Sequence, residues 1–361
     1  MKKIIFKILI LMTISIIISC SNENSGTKKE NIQLSENERL EIFDIRYLTS
    51  ENGEYLNILL KENSKSAFVD YIFYTNQSID AFTFDTEINE GYIKAEAIDD
   101  YGTNYIEGNL SDSGFNGKIE GREVNFVSAK SPLSGAKVVR YSYTVSPTNA
   151  SEEDIKTFEY YSSIFLFNND SKSAIIDKIN LDINSEITSK KLYINKLSDI
   201  KNILSNDMLW FYNEWSGEYM SHYYSISEYG IDYLSEKIAS INKYSYEYTG
   251  GAHGVHEKIY KVYSLSNGER LKIEDILIDV NNLDLINKVK EKLLSMFDKE
   301  IYFNLDELSL QENNFYITSK GLTFTWGIYE IAPYAMGDSE VLFSIDEIMP
   351  YLKDEYKSIF E

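Results

Sequence analysis

The chain has 361 residues, with 35 Lys and Arg against 57 Asp and Glu, and a single cysteine. A formal charge of −22 argues against a nucleic-acid or anionic-lipid binding surface, and one cysteine cannot form an internal disulfide. Tyrosine is abundant, 29 residues beside 18 Phe and 3 Trp, a composition that favours β structure and stacking surfaces.

The first element is a signal peptide over residues 1–19. In "MKKIIFKILILMTISIIISC", Lys2, Lys3 and Lys7 precede an apolar run from Ile8 to Ile18. The run is shorter than the ~20 residues of a membrane span. It ends with Ile17, Ile18 and Ser19 before Cys20, the layout of a bacterial lipoprotein cleavage box. Cys20 is therefore the expected lipid carrier, and the expected location is the bacterial cell envelope, lipid-anchored on the extracytoplasmic side, facing the periplasm or at the cell surface. Residues 20–38 are polar, without apolar periodicity, and read as the lipidated cysteine and a flexible tether.

About 340 mature residues exceed one typical core and predict two domains. Over 39–130, short runs of β formers alternate with Gly, Asn and Asp: "LEIFDIRYL", "EYLNILL", "SAFVDYIFY", "DAFTFDTEI". This spacing predicts an all-β domain, a small barrel or sandwich. Within it "TFDTE" at Thr83–Glu87 is similar to the metal-binding start of polysaccharide deacetylases. That chemistry also needs a His-rich zinc motif, and 39–130 contains no histidine. Residues 131–136, with Pro132 and Gly135, read as an inter-domain hinge.

Over 137–361 the texture becomes α+β, helices packed on a mostly antiparallel sheet. "KVVRYSYTVSP" and "IKTFEYYSSIFLF" are strand-like. Ile176, Ile179 and Ile183 stand at helical spacing, and Leu197, Ile200, Leu204, Met208, Phe211 and Trp215 extend a second helical stripe over almost five turns. Tyr244, Tyr246 and Tyr248 alternate with polar residues at the period of a strand that runs into a glycine cluster. Ile286, Val289 and Leu293 mark a further helix, and the chain closes on "NNFYITSKGLTFTW" and "EVLFSI".

The stretches "YEYTGGAHG", "YSLSNGERLKIEDIL" and "GLTFTWGIYEIAPYAMGDSEVLFSIDEI" resemble the extracellular module shared by the lysozyme-sensing anti-sigma factor RsiV and the peptidoglycan deacetylase PdaC. The resemblance covers roughly 136–361 and leaves the first domain unexplained. It implies an extracytoplasmic binding unit. The catalytic zinc domain of the deacetylase, and the membrane helix and sigma-binding segment of the anti-sigma factor, have no counterpart here.

Two of the chain's three histidines, His253 and His256, stand beside Gly250, Gly251 and Gly254. A zinc site would need His253, His256 and a carboxylate such as Glu257. The glycines oppose the helix that would bring an i, i+3 pair together, and a strand would send the two side chains to opposite faces. No metal or other cofactor is expected. The glycines are expected to supply positive φ and close approach, with His253 holding the loop. If this stretch meets the one around Glu330, an acid–base pair of His253 and Glu330 becomes available. Tyr248, Gly250, Gly251, His253, Gly254, Tyr329 and Tyr334 are the binding candidates, as a rigid aromatic-rimmed surface. The expected function is a non-catalytic binding protein for lysozyme, as a cationic protein, or for a peptidoglycan-related ligand. The alternative is an envelope enzyme acting on peptidoglycan through His253 and Glu330. Partners are the membrane, through the lipid, and one of these ligands, without nucleic acid.

Overall fold

A computed structural model describes residues 34–74, 79–99, 102–133, 135–147, 157–170, 172–217, 222–310 and 314–360. The expected signal peptide, Cys20 and most of the expected tether lie outside the described residues. Strands β1 (Leu34–Thr49), β2 (Tyr55–Lys61), β3 (Ser66–Tyr74) and β4 (Ile79–Glu87) follow one another antiparallel. So do β5 (Tyr92–Asp99), β6 (Gly102–Ser111), β7 (Gly114–Ile119) and β8 (Arg122–Ser128). β8 returns to β1 at Leu48↔Ser128, whereas β4 and β5 share no ladder, so the wall is a barrel left open along one seam. The period-two alternation sends Leu48, Ile58, Val69, Phe84, Ile93, Ile106, Phe115 and Phe126 inward as one core.

β1 does not stop at this barrel. Its first twelve residues pair with β9 (Ala136–Pro147), from Leu34↔Pro147 to Ile45↔Ala136. The sheet continues through β10 (Phe158–Phe167), β11 (Tyr223–Leu234), β12 (Ile238–Tyr248), β13 (Val255–Ser264) and β14 (Arg270–Leu271). The two units thus share a strand, and Leu133 of the expected hinge is buried in the core that joins them.

One pair, β10 with β11, is parallel, which requires a crossover. Helices α1 (Ala174–Ile183) and α2 (Leu197–Gly217) provide it. The predicted stripe of α2 is buried: Ile200, Leu204, Met208 and Trp215 pack with Val139, Tyr141, Phe158 and Tyr160 on one sheet face. The β10–β11 register ends at Tyr161↔Ile226, and beyond it the free edge of β10 is met by side-chain amides of α1 and its C-cap. Asn180 accepts from Phe167 N at 2.8 Å and donates to Phe167 O at 2.9 Å, and Asn184 does the same for Phe165 at 3.1 and 2.7 Å. These two amides stand where the backbone of a neighbouring strand would be.

A second sheet is formed by β15 (Phe315–Thr318), β16 (Gly321–Trp326) and β17 (Ser339–Ser344). Its core includes α3 (Ile273–Ile276), α4 (Leu283–Met296) and α5 (Ile345–Ile348), with Leu285, Val289 and Leu293 facing Phe315, Phe324 and Phe343. Ser344 opens α5 with a reciprocal capping box to Glu347. The observed architecture is α+β, as expected from the sequence.

Candidate functional site

β12 delivers the chain into the glycine turn. Gly250 and Gly251 both have φ of +99°, a region open chiefly to glycine, and the Tyr248 hydroxyl donates to Gly251 O at 3.0 Å. Gly254 corrects the expectation of positive φ: its role is close approach. A Cβ there would lie 2.4 Å from Tyr246 Cζ and Oη and 2.7 Å from Glu247 O. His253 is exposed and donates from Nδ1 to Gly254 O at 2.9 Å.

The second stretch arrives from β16. Glu330 closes its own turn: its Oε2 accepts from Gly327 N at 3.1 Å and from Asn314 Nδ2 at 3.0 Å. Tyr329 holds a left-handed φ of +65° at 56% exposure, a conformation rare for a bulky side chain. Pro333 then starts a single turn over Tyr334–Met336, ended by Gly337 at φ +68°.

The two stretches meet. The rings of His253 and Tyr334 stack with centroids 4.0 Å apart at 20°, and Tyr329 adds a third ring 5.8 Å from Tyr334. His256, on β13, reaches the same tyrosine at 6.2 Å and bonds through Nε2 to Asp338 Oδ1 at 3.1 Å. The two histidines therefore converge on one ring rather than pointing to opposite faces, because His253 lies before the strand begins. Glu330 and His253 share no hydrogen bond among the described residues. No three of His, Cys, Asp and Glu cluster as metal ligands among those residues.

These rings form an aromatic ledge that continues along the sheet through the alternating tyrosines of β12 to Tyr161, Tyr224 and His222, which the sequence did not single out. Tyr244 stacks on His256 with centroids 6.1 Å apart. Tyr246 meets Tyr224 of β11 at 5.9 Å, which meets Tyr161 of β10 at 5.8 Å. Tyr248 contacts His222 at 5.9 Å. Burial raises the phenol pKa of Tyr161, Tyr224 and Tyr244, with neighbouring carboxylates or phenols adding to it, so these rings stay neutral hydroxyl donors. Arg140 is paired with Glu228, and His256 is hydrogen-bonded to Asp338. The alternation of tyrosines on β12 was a visible signal for one part of this strip. Tyr161 and Tyr224 join it only through the β10–β11 pairing.

Two family models match this region. Residues 151–256 match the model described as Deacetylase PdaC, and residues 274–346 the one described as Protein of unknown function (DUF3298). The C-terminal region is thus similar to both families, and the ledge draws His253 from the first matched segment and Tyr334 from the second. Among solved structures, a member of the DUF3298 family from Bacteroides fragilis is 21% identical, with 61% of this chain and 95% of that one covered and a TM-score of 0.44. A DUF3298 family protein from Pseudomonas aeruginosa is 14% identical, with 62% and 96% covered and a TM-score of 0.42. No curated protein matches.

Proposed function

We propose that the protein is a lipid-anchored binding protein on the extracytoplasmic side of a bacterial cell envelope, with Cys20 as the lipidated residue. Its C-terminal domains hold a peptidoglycan-related ligand at the ledge and carry out no chemistry on it. The observation behind this reading is the His253–Tyr334 stack, which joins two distant loops into a rigid, partly exposed aromatic surface. Aromatic groups held by sheet-borne turns are suited to recognition. The acid–base alternative has less support, since the Glu330 carboxylate is engaged by Asn314 and Gly327. A cationic protein such as lysozyme is the second reading, favoured by the net charge of −22.

The test is co-sedimentation with purified peptidoglycan, set beside calorimetry against a c-type lysozyme at two salt concentrations. Retention on peptidoglycan that Tyr334→Ala abolishes supports the proposal. Salt-sensitive lysozyme binding without retention moves the function to the second reading. Turnover of peptidoglycan that His253→Ala removes, at unchanged melting temperature, makes the protein an enzyme.

A further inference from the structure

We infer that the partly exposed sheet face beside the ledge is a platform for an extended glycan strand, with Tyr161, Tyr224, Tyr246 and Tyr244 as successive stacking positions. The inference rests on the peptidoglycan reading and specifies its sugar chain as the part recognised here.

Three observations carry it. The first is spacing. Centroids fall 5.8 and 5.9 Å apart from Tyr161 through Tyr224 to Tyr246, and 6.1 and 6.2 Å apart from Tyr244 through His256 to Tyr334. Strand pairing sets the first two of these steps, which are comparable with one pyranose ring. The four tyrosines cross two inter-strand gaps of about 4.8 Å, from β10 to β12, and one two-residue step of about 7 Å along β12, room for roughly three or four sugars.

The second is placement. Tyr141, Tyr160 and Phe158 on the opposite face are buried beneath α2. Tyr161, Tyr224, Tyr244 and Tyr246 are outside every core cluster of the described residues, and Tyr244 is 36% exposed. A phenol offers an apolar ring for the CH face of a sugar and a hydroxyl for its rim.

The third is charge. Along the strip Arg140 is paired with Glu228, and His256 is hydrogen-bonded to Asp338. Arg140 is thus already engaged, and the strip offers a ligand phenol rings and acceptor oxygens, which suit the CH faces and hydroxyls of sugars. Glu159 already accepts from the Tyr161 hydroxyl at 3.4 Å and stands ready as an acceptor for sugar hydroxyls.

The test titrates the mature chain with N-acetylglucosamine oligomers from the disaccharide to the hexasaccharide. Affinity should rise with each ring to about the tetrasaccharide and then level off. Tyr224→Ala and Tyr246→Ala should each weaken the longest oligomer by about tenfold or more at unchanged melting temperature, while Tyr224→Phe should stay near wild type. Oligomer binding that ignores length and Tyr224→Ala, but is lost in Tyr334→Ala, overturns the platform and leaves the peptidoglycan reading in place. So does binding of a stem peptide without the sugars. Binding of lysozyme alone overturns both.

Discussion

Tyr260 of β13 and Tyr316 of β15 lie face to face, centroids 4.0 Å apart at 6°, and both hydroxyls donate to the carboxylate of Glu340, at 2.7 and 2.8 Å. This clamp fixes the second sheet on the first, and so fixes the loop bearing Tyr334 against the one bearing His253. Glu340→Ala leaves two buried phenols without an acceptor and should cost about 2–4 kcal/mol in urea unfolding. Glu340→Gln keeps one acceptor and should cost less than half as much. Equal costs would show that the carboxylate does not act as the clamp.

Asp232 sits at a bulge of β11, buried against the barrel. Its Oδ1 accepts from Asn242 Nδ2 at 2.7 Å and from the Tyr55 hydroxyl at 3.4 Å, while Oδ2 and the neighbouring Asn57 Oδ1 have no partner among the described residues. Burial pushes the Asp232 carboxyl up to about 7. A carboxyl whose folded pKa lies above its unfolded value favours the protonated native state. Its stabilising share is therefore complete below about pH 4 and is lost as pH rises to about 7. Asp232→Asn removes the ionisation, so its melting temperature should gain on wild type steadily from pH 4 to 7 and hold level above. Asp70, also raised to about 6 by burial, acts in both proteins and cancels in this difference. A constant difference across that range would contradict the assignment.

Asn184 is 1% exposed and its side chain makes three hydrogen bonds, two to Phe165 and one to Asn180 O. Asn184→Ala orphans the edge of β10 and should destabilise by about 2–4 kcal/mol. Hydrogen exchange at Phe165 should accelerate selectively. Unchanged protection there would mean that another group covers the edge.

Gly254→Ala should be more harmful than Gly251→Ala, although only the latter has positive φ. A Cβ at 254 collides with the Tyr246 phenol, whereas one at 251 meets nothing within 4 Å and suffers backbone strain alone, typically about 1 kcal/mol. Melting temperatures of the two variants decide the order.

These sites differ in how far the sequence exposed them. The buried stripe of α2 and the tyrosine alternation of β12 were legible because both are local periodicities. The sharing of β1 was not, since its twelve pairs to β9 join residues about a hundred positions apart. The parallel β10–β11 pair was hidden for the same reason, and with it Tyr161 and Tyr224. Nothing local marked Asn180 and Asn184, because their partners are the backbone groups of Phe165 and Phe167 on β10. The two signature loops were recognisable, but their contact through His253 and Tyr334 depends on docking one sheet onto another, which no local pattern encodes.

The most direct test of the central claim is a chemical-shift map of the isotope-labelled protein with soluble peptidoglycan fragments. The account predicts perturbations concentrated at Gly251, His253, Gly254, Tyr334 and the rings of Tyr161, Tyr224, Tyr244 and Tyr246. Saturable shifts confined to the barrel, with those residues silent, would contradict it.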